Sequence, residues 1–237
     1  MTILEERWRK VLDNVAEAER LAGRAKGSVR LVAVSKFHPV SDIEELYRLG
    51  QLDFGENYMQ EARAKQEALA APDIRWHAIG PVQTNKAKDV AGRFFLLHTL
   101  DRAELARAVL RRLPEGAAQN VLLQVNIGEE PQKSGVAPSG LEALCGQLLE
   151  EGLVSADGPG LRLCGLMCIP PRCGEGEAAR PYFERMRLLR DRLAARFGLP
   201  LPELSMGMSG DFRQAIEEGA TMVRVGTDIF GPRPVKA

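Results

Sequence analysis

The sequence predicts an α/β fold, a single (β/α)8 barrel of the TIM type with an extra N-terminal helix. Three observations point there. Eight short apolar runs recur along the 237 residues, amphipathic stretches separate them, and no long Pro/Ser-rich linker divides the chain. Near-continuous apolar strands alternating with amphipathic helices imply a parallel sheet covered by helices. Single α/β barrels run to roughly 250 residues, so eight such units in one chain favour closure over an open sheet. The span 1–237 is therefore read as one domain.

The elements follow in order. The opening MTILEERWRKVLDNVAEAERLAG is the extra helix, and the eight strand candidates are LVAVSK (31–36), LDFGEN (52–57), IRWHAIG (74–80), FFLLHTL (94–100), VLLQVNI (121–127), LRLCGLMCI (161–169), ELSMGMS (203–209) and MVRVGT (222–227). Between them, stretches such as SDIEELYRLG, ENYMQEARAKQEALA, DRAELARAVLRRL, SGLEALCGQLLEEG and EGEAARPYFERMRLLRDRLAARFG carry apolar residues at three-to-four spacing with charged opposite faces. Strand and helix are expected to alternate eight times. GEEPQKSGVAPSG, SADGPG and PPRCGEGE read as loops.

Lys plus Arg total 32 and Asp plus Glu 32, so no net field draws the chain to nucleic acid or an anionic membrane. Any phosphate binding must be local. The charged first residues lack the apolar core of a signal peptide, and no stretch approaches the roughly 20 apolar residues of a membrane span, so a cytoplasmic protein is expected. Four cysteines, Cys145, Cys164, Cys168 and Cys173, are too few for a disulfide scaffold and read as thiols.

In LVAVSK, strand alternation puts Val32, Val34 and Lys36 on one face, so Lys36 ends the row that fills the barrel at its carboxyl edge. Barrel active sites are built on that edge. Partial desolvation there lowers an amine's pKa and raises its neutral fraction, the form that attacks an aldehyde. Taken alone, the same lysine also reads as a cation reaching for solvent. In SMGMSGDF a strand runs into Ser209, Gly210 and Asp211 and then a helical pattern, which makes Ser209 a candidate N-cap with free amides beside it. In MVRVGTDIFG, Gly226 permits close backbone approach and Thr227 adds a hydroxyl. These segments follow strands seven and eight, where many barrels bind phosphate. Arg224 shares strand parity with Met222 and Gly226 and points into the same mouth, as a group that only donates.

Other candidates carry blander readings. Cys164 and Cys168 fall on one face of a strand, but with Cys173 they match no zinc spacing, and no metal site is expected. His38, His77 and His98 read as hydrogen-bonded structural groups, with His77 and His98 within reach of the mouth. Glu56 reads as the start of the following helix, where a carboxylate suits the dipole, ahead of a general base.

Seven ordered motifs, AVSK (33–36), FGENYMQE (54–61), WHAIGPVQTNK (76–86), QVNIGEEPQKSG (124–135), GLMCIP (165–170), LSMGMSGDF (204–212) and MVRVGTDIFG (222–231), resemble those of the pyridoxal phosphate homeostasis proteins over nearly the whole chain. The resemblance implies a barrel of the alanine racemase N-terminal-domain type, with pyridoxal 5′-phosphate (PLP) held as a Schiff base on Lys36. It implies a role in vitamin B6 homeostasis and in delivering the cofactor, with PLP-dependent apoenzymes as partners, a monomeric state, and no catalytic residues. By position, Ser209, Gly226 and Thr227 take the phosphate, Arg224 the pyridine nitrogen, and Asn57 lies beside the ring. Lys133 matches the family's KSG lysine, linked to cofactor transfer. Two positions depart from the family pattern: Ala78 stands where a bulky residue is usual, and His38 where a second lysine often follows. The rival is an amino-acid racemase or decarboxylase using the same lysine. It is disfavoured because Tyr47, Tyr58 and Tyr182 fall in helix-like stretches and the chain ends ten residues after Thr227, which is read as absence of the racemases' second domain.

Overall fold

The computed structural model describes residues 1–172 and 176–232, so Cys173 and part of the PPRCGEGE loop lie outside the described residues. Eight parallel strands close on themselves: β1 (Arg30–Val34), β2 (Asp53–Glu56), β3 (Arg75–Ala78), β4 (Leu96–Leu100), β5 (Ala118–Val125), β6 (Gly160–Cys168), β7 (Glu203–Ser205) and β8 (Met222–Val225). The seam pairs Arg30 with Met222 through Ala33 with Val225. Each expected run contains or overlaps its strand.

Alternation sorts the apolar side chains into two layers. Val32, Leu96, Leu122, Met167 and Met222 fill the barrel, while Leu31, Ala33, Phe54, Leu97, Leu123 and Val223 face outward beneath the helices. Burying each large apolar side chain stabilises by roughly 1.5–3 kcal/mol, so the broad outer layer contributes most. Its cover is α2 (Val40–Arg48), α3 (Met59–Ala68), α4 (Ala103–Leu110), α5 (Leu141–Glu150), α6 (Arg180–Phe197), α7 (Phe212–Glu217) and α8 (Thr227–Phe230). The extra helix, α1 (Ile3–Leu21), is capped by Thr2 accepting from the Glu5 N–H and packs on α2, α7 and α8. Its Trp8 indole donates to Gln51 Oε1 at 3.0 Å.

Two expectations fail in detail. Between β3 and β4 the crossover is a 3-10 helix, Thr84–Asp89, flanked by Pro81 and Gly92, in place of an α-helix. In β6 the register slips between Val121 and Leu122 of its partner, so Cys164 packs toward the barrel interior and Cys168 outward, not on one face. Gly165 makes this bulge possible, since a Cβ there would lie 1.8 Å from Glu203 O.

Candidate functional site

β1 stops at Val34, and Lys36 sits in the turn that follows, on the inward side of the row begun by Val32. Phe37 next to it adopts φ 68°, a conformation uncommon for a residue with a side chain. A buried ion cluster braces this turn from behind. Lys65 Nζ donates to Ser35 O (2.8 Å), Glu56 Oε1 (2.7 Å) and Glu61 Oε1 (2.6 Å). The Ser35 hydroxyl donates to Glu56 Oε1 at 2.7 Å, and the Phe37 N–H to Glu61 Oε1 at 2.6 Å. Glu56 is thus neither a helix start nor a base at the mouth. It ends β2 fully buried, α3 begins at Met59, and burial pushes its carboxyl above the usual range against the pull of Lys65.

The opposite rim comes from the segments after β7 and β8. Ser209 is not the N-cap of α7. Asp211 takes that position, since α7 begins at Phe212, and its Oδ1 accepts the Met208 N–H at 2.6 Å. Ser209 and Gly210 instead form an open turn whose amides donate to no group among the described residues. Gly226 packs against β1, where an added Cβ would lie 3.3 Å from Val34 O, and Thr227 begins α8.

Lys36, Asn57, Ser209, Arg224, Gly226 and Thr227 line one cavity of about 290 Å³ at the carboxyl end of the barrel. Arg224 forms its floor at 4% exposure, donating to Ser205 Oγ at 2.7 Å and Cys168 O at 2.8 Å. Burial lowers its pKa from the usual arginine value. Asn57 is held at the wall by the close approach of Gly80, where a Cβ would lie 2.1 Å from Asn57 O. His38 also lines the cavity, stacked on Phe230 with ring centroids 4.8 Å apart. Ala78 is fully buried in the outer layer. Lys133 lies in a neighbouring pocket of about 200 Å³ that shares Asn57, Ile79 and Ile169, ion-paired to Glu130 and donating to Pro170 O at 3.0 Å.

His77 and His98 do not reach the mouth. Both are fully buried within the barrel, and burial holds both below the usual imidazole range. Cys145 and Cys168 are buried thiols pushed up to about 11 and about 12, and no metal-binding cluster occurs among the described residues. No helix among the described residues is long and apolar enough to cross a membrane. Sequence reasoning missed the bracing pair Glu61 and Lys65, and it missed Asp53 and Ser205 beneath Arg224. Asp53 and Ser205 stood out as polar residues inside otherwise apolar strands, whereas Glu61 and Lys65 lie on α3.

Comparison with known proteins places this geometry. The family model for the alanine racemase N-terminal domain matches residues 9–234. The pyridoxal phosphate homeostasis protein of Aquifex aeolicus is 44% identical over 229 residues, covering 96% of this chain and 97% of the relative. PipY of Synechococcus elongatus, solved with PLP bound, superposes with a TM-score of 0.78 at 39% identity, covering 90% of this chain and 99% of PipY. Alanine racemase from Corynebacterium glutamicum shares the fold, with a TM-score of 0.65 at 20% identity over 95% of this chain and 62% of that enzyme.

Proposed function

We propose that this chain, which belongs to the pyridoxal phosphate homeostasis protein family, binds pyridoxal 5′-phosphate at the barrel mouth through a Schiff base to Lys36 and serves in intracellular vitamin B6 homeostasis and cofactor delivery. The observation that carries this reading is the convergence of six residues from four separate segments on one cavity.

The cavity's donors suit such a ligand. One amine, two hydroxyls, two amides without a partner among the described residues and a buried guanidinium line it, and the carboxylate among the described lining residues, Asp211, accepts the Met208 amide. About 290 Å³ lies near the lower end of small-ligand sites, which suits a compact molecule. When bound, PLP supplies an aldehyde that forms imines with amines and a ring that withdraws electrons. The chain's residues divide the work of holding it. Ser209, Gly226 and Thr227 oppose an anionic phosphate with donors, and Asn57 flanks the ring. Arg224, which only donates, opposes protonation of a ring nitrogen and so weakens the ring as an electron sink. That balance suits retention and hand-over better than carbanion chemistry. None of the three tyrosines lines the cavity, which leaves a racemase mechanism without a tyrosine as second proton carrier there.

Titrating the full chain with PLP and with pyridoxal, which lacks the phosphate, tests the assignment. The wild type should bind PLP with a visible absorbance band, and Lys36→Ala should lose the band while keeping its far-UV spectrum. Ser209→Ala with Thr227→Val should narrow the preference for PLP over pyridoxal by about tenfold per lost hydrogen bond to charge. An unchanged preference contradicts the phosphate assignment.

A further inference from the structure

We infer that Asp53, His77, His98 and Ser205 form a one-way hydrogen-bond chain through the barrel that positions Arg224 under the mouth cavity, an inference that rests on the cofactor assignment above only for what Arg224 faces. The links are continuous. Arg224 Nη1 lies 2.7 Å from Ser205 Oγ, Ser205 Oγ 2.9 Å from His98 Nδ1, His98 Nε2 2.9 Å from His77 Nδ1, and His77 Nε2 2.9 Å from Asp53 Oδ1.

With both buried rings neutral, the two ends fix the direction of every link between them. A guanidinium only donates, so Ser205 Oγ accepts from Arg224. A carboxylate only accepts, so His77 donates from Nε2 to Asp53. Burial pushes the Asp53 carboxyl up, but hydrogen bonds from His77 and Arg75 outweigh it and keep the group ionised below its usual range. With its Nε2 proton committed, a neutral His77 accepts at Nδ1, so His98 donates from Nε2. His98 then accepts at Nδ1, and the Ser205 hydroxyl must be its donor. Both neutral imidazoles are therefore Nε2–H tautomers, and four hydrogen bonds run in one sense from cation to anion. In a low-dielectric interior such aligned bonds strengthen one another.

The surroundings agree. Four strands contribute one member each besides the arginine: β2 Asp53, β3 His77, β4 His98 and β7 Ser205, with Arg224 on β8. The charged groups facing the chain are Arg75 and Arg30, which pair with Asp53 at 2.5 and 3.6 Å, and Arg224 itself. These cations disfavour a proton on either ring. A proton on His77 would compel His98 to accept at Nε2 and donate from Nδ1. Ser205 would then accept from both neighbours, and the chain would lose its direction. The chain leaves Arg224 one rigid orientation, with its second amino group fixed on Cys168 O.

The test uses the full chain, with and without PLP. The three histidines make the tautomers readable by ¹⁵N NMR of histidine-labelled protein, with His38→Gln to assign the third signal. The cofactor-free protein should show His77 and His98 as neutral Nε2–H forms at pH 7. A Nδ1–H tautomer or a charged ring at either position overturns the chain whether or not PLP binds. Two isosteres then sever different links. His98→Asn keeps an acceptor for Ser205 and loses His77; His98→Gln does the reverse. With PLP loaded, both, like Ser205→Ala, should still yield the reduced adduct on Lys36 yet shift the pH midpoint of the bound cofactor's absorbance. Each should weaken affinity by about tenfold. Variants that only lower thermal stability, with midpoint and affinity as in the wild type, reduce these residues to core packing. Wild-type protein with correct tautomers but no bound PLP sinks the cofactor assignment and leaves the chain standing.

Discussion

Glu56 and Lys65, with side chains 0% and 6% exposed, show how a residue's neighbours decide its role. The same glutamate at an open helix start would be a dipole partner; enclosed behind the Lys36 turn it is half of a buried ion pair that fixes Ser35, while Glu61, also paired with Lys65, holds the Phe37 N–H. Replacing Lys65 by Met leaves that carboxyl buried without its cation, a change worth about 3–5 kcal/mol. Urea unfolding should show this loss for Lys65→Met, with much of it recovered in the double variant carrying Glu56→Gln. Equal losses in single and double variants would mean that the pair does not act as a unit. Lys36 and Arg224 were legible in the sequence because strand parity alone fixes which face they join, and parity survives in the turn after β1. The Glu56 brace was not legible, since it depends on a helix, α3, returning Lys65 to within 2.7 Å of a strand end.

At the scale of elements, apolar runs bounded by turn residues located all eight strands, because burial on both faces imposes an unmistakable composition on a parallel sheet. What composition does not show is register. The bulge in β6 inverted the reading of Cys164 and Cys168, and only the clash that any Cβ at Gly165 would make with Glu203 O reveals why the slip is required. Gly165→Ala must move β7 away from β6. Since β7 carries Ser205 and leads to Ser209, this variant should lose stability by more than about 2 kcal/mol and bind PLP more weakly when the full chain is titrated. Stability and affinity equal to wild type would show that the sheet absorbs the methyl group. The N-cap of α7 was misplaced for a related reason. Ser209 and Asp211 are both good caps by residue type, and tertiary packing of Gly207 against α7 chose between them.

For the whole molecule, a polar chain inside an apolar barrel couples stability to pH. His77 and His98 stay neutral when folded, burial being the main cause, and His38 is lowered as well. An unfolded histidine takes up a proton near pH 6.5, so below that value the unfolded state binds more protons and stability falls as pH drops. Each buried histidine contributes a slope of up to about 1.4 kcal/mol per pH unit. Asp53 acts lower still: its depressed pKa makes its contribution present above about pH 4 and lost on further acidification. Urea midpoints at pH 7, 6 and 5 should fall steadily in the wild type and less steeply in His98→Asn; a flat wild-type profile would show that these rings are not held neutral. The claim on which the functional account depends is nevertheless a single covalent position. Borohydride reduction of PLP-loaded protein, followed by peptide mass mapping, tests it most directly. A phosphopyridoxyl group should be found on Lys36, at about one per chain. Its appearance chiefly on Lys133, or on no lysine, would contradict the assignment.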